Sequence, residues 1–197
     1  MRELSLHILD VLQNSLEAGA TLVELIIEEN LAADRLAITV RDNGRGMDEV
    51  QLARVYDPFF TTRRTRHVGL GIPLFKAAAE RCNGDLTITS QVGRGTTLVA
   101  TFQHSHLDRA PLGDITETLM AVILGGACEL RYAHRVSGEL AEGELAGGGG
   151  GEAKVREFAF DTAQIKAELG DVPLTHPAVR EWLRTFIAEG EAALGRT

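Results

Sequence analysis

The sequence has little of what marks disulfide-stabilised, zinc-binding or membrane-spanning proteins. Its 197 residues include two cysteines, Cys82 and Cys128, and they do not have the CxxC spacing of zinc and redox sites. The longest apolar run, at residues 119–124, is too short to cross a bilayer. Glu3 interrupts the amino terminus, where a signal peptide would be apolar. We therefore expect a cytoplasmic protein with no membrane span.

Positive charge is also scarce. Lysine and arginine number 20 against 28 aspartates and glutamates, which leaves a net charge of -8. Such a balance argues against a broad nucleic-acid surface, because that surface needs an excess of basic side chains. Hydrophobic content of 44% and charged content of 24% are ordinary for a globular protein. The length suits one domain with an extension or two small domains.

Residues 41–47 form the most informative stretch of the chain. They follow an alternating strand pattern at residues 36–40, so Asp42 lies where the strand ends. A carboxylate at that position can accept a hydrogen bond from an exocyclic amine such as that of adenine. Gly44 and Gly46 have no side chains, so their backbone can lie against a flat ring. The stretch predicts a nucleotide pocket.

The amino-terminal helix, predicted over residues 3–18, carries polar residues on one face. Asp10, Asn14 and Glu17 are spaced at i, i+4 and i+7, which places them together on a helix. One interpretation is a solvated polar face. The other is that the Asn14 amide oxygen binds magnesium and that Asp10, one turn earlier, orients or deprotonates a water. The residues alone leave both open.

A basic segment precedes the third predicted helix. Residues 63–67 include three arginines and a histidine, and they lead into Gly69, Leu70, Gly71 and a helix over about 72–82. A glycine turn at a helix amino terminus, with arginines before it, is suited to phosphate. The alternative is a solvated loop.

The first 104 residues alternate between helical and strand patterns. Alternating apolar residues predict two pairs of antiparallel strands. The pattern predicts the order α-β-β-α-loop-α-β-β, an α+β fold in which helices lie on one sheet as a two-layer sandwich. The predicted strands cover residues 21–28, 36–42, 84–89 and 96–102. A short helix is expected to start at Asp48 and to run through Tyr56.

Taken in order, these segments resemble the GHKL superfamily of ATPases, which have the Bergerat fold, and most closely the ATP-binding domain of histidine kinases. Each motif alone is weak, but their order on the expected elements is specific. Residues 10–20 resemble the N box, with a Gly-Ala ending similar to MutL proteins; 42–46 resemble the G1 box, DxGxG; 57–63 resemble the F box; 69–71 resemble the end of the G2 box; and 93–96 resemble the final GxGT.

The resemblance implies ATP and Mg2+ as cofactors and gives roles to individual residues. Asn14 would bind the magnesium, Asp42 would hold the adenine amine, and Thr96 would support Asp42 through water. Asp10 occupies the place of the catalytic base, and Arg63 would neutralise terminal phosphate charge. The backbone that approaches the nucleotide would be that of Gly44, Gly46, Gly69, Leu70 and Gly71.

Two departures from the family pattern shape the functional expectation. His67 and Val68 replace the usual Gly-Thr pair of the G2 box, and none of the six histidines lies in an H-box context. We expect a stand-alone form, without a dimerisation or phosphoacceptor domain, that regulates or phosphorylates a protein partner in trans. The alternative is a non-catalytic ATP-sensing switch. A MutL-like DNA clamp is disfavoured by the acidic charge.

Residues 105–197 predict a small α-β-β-α-α module that follows an ATP-binding domain over residues 1–104. Its helices are expected at 114–124, 161–169 and 177–194, the first two capped by Asp114 and Asp161, and its strands at 129–136 and 154–160. A glycine-rich insertion at about 137–153 should be flexible. Trp182 is either a core residue or a partner anchor, and we expect core. His104 and His106 are either metal ligands or a polar strand exit, and we expect the latter.

Overall fold

A computed structural model describes residues 3–57, 70–126, 128–138 and 155–195. Helices and a mixed six-stranded sheet form two layers, which confirms the predicted α+β sandwich. The helices are α1 (Leu4–Glu17), α2 (Glu49–Ala53), α3 (Gly71–Arg81), α4 (Ile115–Gly125), α5 (Thr162–Leu169) and α6 (Pro177–Ala193). The strands are β1 (Leu22–Asn30), β2 (Arg35–Asp42), β3 (Leu86–Gln91), β4 (Gly95–Gln103), β5 (Glu129–Ser137) and β6 (Val155–Asp161).

The sheet has the strand order β3-β4-β2-β1-β5-β6. All neighbours are antiparallel except β1 and β5, which run parallel. The last two strands therefore continue the sheet built by the first four. The domain boundary expected at residue 104 stays a prediction.

Four helices lie side by side over one face of the sheet. Helix α1 packs between α3 and α4, and α4 also packs against α6. Helix α3 lies against β3 and β4, and α6 lies against β6. Val23, Leu25 and Ile27 alternate inward on β1 and have no exposed surface, as the period of two predicts. The alternate side chains of these strands, among them Glu24, Arg41 and Thr97, point to the other face of the sheet.

Three helices begin where an aspartate was expected to cap them. Asp114 accepts a hydrogen bond from the Glu117 backbone, and Asp161 accepts one from the Ala163 backbone. Asp48 and Gln51 bond each other's backbone at the start of α2. Such caps satisfy amide groups that the first helical turn leaves unpaired. The expected end of α2 at Tyr56 is wrong, because the helix ends at Ala53.

Trp182 is not a core residue, contrary to our expectation. It is 48% exposed and stacks on Phe186, with 5.3 Å between the ring centroids. The buried stripe of α6 runs through Val179, Leu183 and Ile187. Trp182 precedes Leu183 by one residue, which turns it about 100° away from that stripe.

Some expected features lie outside the described residues. These are Arg63, Gly69, most of the F box and most of the glycine-rich insertion. Among the residues that the structure describes, no helix is both long and apolar enough to cross a bilayer.

Candidate functional site

The Asp42 carboxylate is held by hydrogen bonds from three parts of the chain. Its Oδ1 accepts from the Gly44 amide at 2.9 Å and from the Thr96 amide at 3.2 Å. Its Oδ2 accepts from the Ser15 hydroxyl of α1 at 2.8 Å. A carboxylate has about four acceptor positions, so it retains capacity for a further donor. Asp42 is therefore an oriented acceptor at the end of β2, facing the helices.

Two serines in this site were not predicted from the sequence. Ser15 is 3% exposed and lies on the inward side of α1. Ser90 accepts from the Met47 amide, donates to the Gly95 carbonyl, and its Oγ lies 2.9 Å from that of Thr96. Ser15 had a detectable signal, because it is a polar residue in step with a buried apolar stripe. The role of Ser90 depends on strand pairing.

Two glycines bring the loop after β2 and the turn before β4 into backbone contact. Gly95 has φ +96°, and a Cβ there would lie 1.9 Å from the Asp42 carbonyl oxygen. Gly46 has φ +67°, and its Cβ would lie 2.1 Å from the Gln91 carbonyl oxygen. Neither distance is possible for a real side chain. These contacts keep Thr96 beside Asp42 and account for both glycines within the fold itself.

Gly46→Ala should destabilise the protein more than Gly93→Ala does. Both glycines have a positive φ, at +67° and +74°, so alanine costs each about 1–2 kcal/mol of conformational strain. Nothing lies within 4 Å of a Cβ at Gly93. At Gly46 the clash with backbone should add about 1–3 kcal/mol. Urea unfolding of the two variants measures the difference, and equal losses would contradict the contact.

Asp10 meets the amino terminus of α3. A Cβ built on Gly71 would lie 3.2 Å from the Asp10 Cβ and 3.3 Å from its Oδ2. Leu70 precedes the helix and supplies no side-chain cap. The first amides of an 11-residue helix carry partial positive charge. The structure thus brings Asp10, Leu70 and Gly71 together, with Asn14 one turn along α1 from Asp10.

His7 fixes the packing of α1 against α3. It is 3% exposed and stacks on Phe75, with centroids 5.0 Å apart and planes at 8°. Burial, with a smaller effect of the amino-terminal charge, lowers the pKa of His7 to about 4. Among the described residues, its Nδ1 has no hydrogen-bond partner. The His7 ring is therefore neutral and lies buried between α1 and α3.

Comparison with known sequences identifies the fold just described. Residues 2–106 match the family described as histidine kinase-, DNA gyrase B- and HSP90-like ATPases. The chain belongs to this ATPase family. The match covers more than half of the chain and includes the Asp42 and Asp10 clusters. The expected GHKL resemblance is confirmed, and with it an ATP-binding function.

Several relatives that this chain resembles carry the names of sensor kinases. It is 39% identical over 110 residues to the sensor protein kinase FleS of Pseudomonas aeruginosa, covering 56% of this chain and 27% of FleS. It is 34% identical over 83 residues to the sensor protein BceS of Halalkalibacterium halodurans, covering 40% of this chain and 25% of BceS. The chain spans about a quarter of the length of these relatives.

The residues present fit the nucleotide that the family implies. An oriented carboxylate at Asp42 suits an amine, and the α3 amino terminus suits an anion. The amide of Asn14 is a ligand type that Mg2+ accepts. Asp42, Gly44, Gly46 and Thr96 form one group, and Asp10, Leu70 and Gly71 form another. Their individual roles toward a ligand stay predictions.

Proposed function

We propose that this protein binds ATP with Mg2+ and acts as a histidine-kinase-like ATPase or phosphotransferase on a protein partner. The observation that carries the proposal is the Asp42 carboxylate, which three donors orient at 2.8–3.2 Å. The names of the sensor kinases that the chain resembles favour a protein as the partner. The expected cytoplasmic location stays a prediction.

Each site residue has a task in this proposal. Asp42 accepts the adenine amine, and Thr96 helps to hold that carboxylate. The Asn14 amide oxygen binds Mg2+, and the backbone of Leu70 and Gly71 faces phosphate. Bound ATP supplies the phosphoryl group for transfer or hydrolysis. Arg63 and Gly69, outside the described residues, keep their expected roles in phosphate binding, and Gly44 and Gly46 keep theirs in backbone approach.

Asp42→Asn should weaken ATP binding by about 10- to 100-fold. A hydrogen bond to a charged group contributes about 1.5–3 kcal/mol of binding free energy. Asparagine removes the charge and replaces one acceptor oxygen by an NH2 group, which cannot accept a hydrogen bond from the adenine amine. Titration calorimetry with ATP, with and without Mg2+, measures the loss. The wild-type affinity should fall when Mg2+ is removed.

The matched control is Asp108→Asn, the same substitution at an exposed aspartate. It should bind ATP as the wild type does. Wild-type protein that fails to bind ATP, or an Asp42→Asn variant that binds it equally well, would contradict the proposal. Thermal unfolding of both variants shows whether each has kept its fold.

A further inference from the structure

The face of the sheet opposite the four helices carries a groove at the same end as Asp42. Side chains alternate along each strand, so Arg41 and Asp42 point to opposite faces. The groove has a volume of about 570 Å3 and is open to solvent. Arg131, Glu24, Arg41, Thr97 and Thr89 are paired in register across five strands and line it together with Arg94.

Arginine is concentrated in this groove although the chain is acidic overall. The side chains of Arg41 and Arg131 remain 59% and 54% exposed. Arg41 pairs with Glu24 at 3.0 Å, and Arg131 pairs with Asp161 at 2.9 Å. Arg94 is exposed, and its side chain makes no hydrogen bond or ion pair with the residues that the structure describes. Three guanidinium groups therefore face solvent with donors to spare.

We propose that this arginine groove, formed by Arg41, Arg94 and Arg131, binds an acidic segment of a protein partner. Guanidinium groups bind carboxylates through two parallel hydrogen bonds. Arg131 and Arg41 stand two strands apart, a separation of about 10 Å. Carboxylates three residues apart in a polyproline II segment lie on the same side of the chain and about 9 Å apart, because this extended conformation has three residues per turn and rises about 3.1 Å per residue. The spacing suits an extended peptide laid across the strands.

The charges around the groove favour a peptide over nucleic acid. Glu24 lies between Arg131 and Arg41 in the register, so the positive charge is interrupted. A nucleic-acid backbone carries a negative charge at every step and binds a continuous basic surface. A peptide can place its carboxylates at the arginines and a neutral residue over Glu24.

The groove adjoins the proposed ATP site, because Asp42, Ser90 and Thr96 also line it, so a bound peptide would contact the elements that hold Asp42. Arg41 is the residue before Asp42, and Arg94 precedes Gly95, where a built Cβ would lie 1.9 Å from the Asp42 carbonyl oxygen. The next residue, Thr96, donates its amide to the Asp42 carboxylate. The proposal thus extends the proposed function by naming where a protein partner docks, and its test does not require ATP.

Fluorescence anisotropy with labelled octaglutamate tests the groove. Arg94→Glu should weaken octaglutamate binding by about 10-fold or more, because an attraction becomes a repulsion. Arg180→Glu, the same change at an exposed arginine of α6, should change it by less than about 2-fold. Glu24→Gln should strengthen binding several-fold, whereas Glu28→Gln, on the same strand but outside the groove, should not.

Three results would overturn the proposal. The first is wild-type protein that does not bind octaglutamate, and the second is equal loss in Arg94→Glu and Arg180→Glu. The third is tighter binding of oligothymidylate than of octaglutamate, with that binding lost in Arg94→Glu. Such a result would make the groove a nucleic-acid surface. Calorimetry with ATP on the same preparations keeps a failure of the groove distinct from a failure of the ATP site.

Discussion

His134→Ala is expected to lower the free energy of unfolding by about 3–5 kcal/mol, because it removes the side chain that bridges the buried Glu191 carboxylate and the partly buried Glu29 carboxylate. His134 lies on β5 and has no exposed surface. Its Nε2 is 2.9 Å from Glu29 Oε1, and its Nδ1 is 3.1 Å from Glu191 Oε2. Urea unfolding of wild type and variant measures the loss. These contacts join β1, β5 and α6 at one point.

His104→Ala is the matched control, since His104 contacts the other oxygen of the same glutamate. Its Nε2 lies 2.6 Å from Glu29 Oε2, but its side chain is 22% exposed. Water can replace it there, so the loss should be about 1 kcal/mol or less. Equal losses in the two variants would mean that burial between two carboxylates adds nothing, which would contradict the expectation.

The pH dependence of stability gives the same network a second readout. Burial lowers the pKa of His134, but hydrogen bonds to Glu191 and Glu29 outweigh it and raise the pKa above the usual 6.5. A raised pKa means that this contribution is complete below pH 6.5 and is lost as pH rises through the folded value. Stability should therefore fall as the pH rises above 6.5, and His134→Ala should flatten that fall.

Other groups change stability in separate pH ranges. The histidine hydrogen bonds outweigh burial and lower the pKa of Glu29 from 4.5 to about 2, so its contribution is lost between those values as pH falls. The pKa of His7 is lowered from 6.5 to about 4, so the contribution of its neutral ring to stability is lost as the pH falls from 6.5 to about 4. Burial raises the pKa of both cysteines above 9. Between pH 6.5 and 9, His134 should dominate.

Sequence reasoning could place His134 but not its partners. The alternation of β5 puts His134 on the same face as Leu130 and Tyr132, which predicts burial. Its partners lie 105 and 57 residues away along the chain. They meet only because β5 lies parallel to β1 and α6 packs over the sheet. No local pattern encodes that strand order.

The elements themselves were largely predictable because their signals are local. Asp114 and Asp161 mark helix starts, and the period of two marks β1 and β2. Trp182 was misplaced because periodicity tells which residues share a face but not how wide the buried face is. Helix α6 buries only a narrow stripe of side chains, and Trp182, one residue away from Leu183 in that stripe, is already exposed to solvent.

In the candidate site, too, residues in local motifs were predictable, whereas residues brought in by tertiary packing were not. Asp42, Gly44 and Thr96 were predicted because each belongs to a short motif, and the structure brings them together. Ser15 was missed because its hydroxyl reaches Asp42 only when α1 packs on the end of β2. Ser90 was missed because it meets Thr96 through strand pairing. Contacts that depend on tertiary packing cannot be inferred from spacing along one segment.

Asp10→Asn is expected to lower ATP turnover by about 10²- to 10⁴-fold, the usual range for loss of a general acid or base. It should leave the dissociation constant for ATP within a few-fold of wild type, because the proposed adenine site at Asp42 is untouched. Asp10 lies against Gly71 at the α3 amino terminus, where phosphate is proposed to bind. Phosphate release and titration calorimetry on the same variant separate the two quantities.

Asp10→Glu distinguishes a catalytic carboxylate from one that only packs against α3. Glutamate keeps the acid and extends its reach by one methylene, so turnover should be retained or raised. A Cβ built on Gly71 would lie only 3.2 Å from the Asp10 Cβ. There is therefore little free space around the Asp10 Cβ. A packing role predicts that glutamate disturbs α3 more than the near-isosteric asparagine does, and thermal unfolding detects that.

Wild-type turnover itself decides between the two functional classes. If the wild type binds ATP and releases phosphate, and Asp10→Asn abolishes only the release, the protein is an enzyme in which Asp10 acts on water or on the acceptor. If the wild type binds ATP without turnover, alone and with octaglutamate in the arginine groove, the catalytic role of Asp10 is wrong. ATP would then act through Asp42 and the strand ends behind it, as expected of a nucleotide-sensing switch.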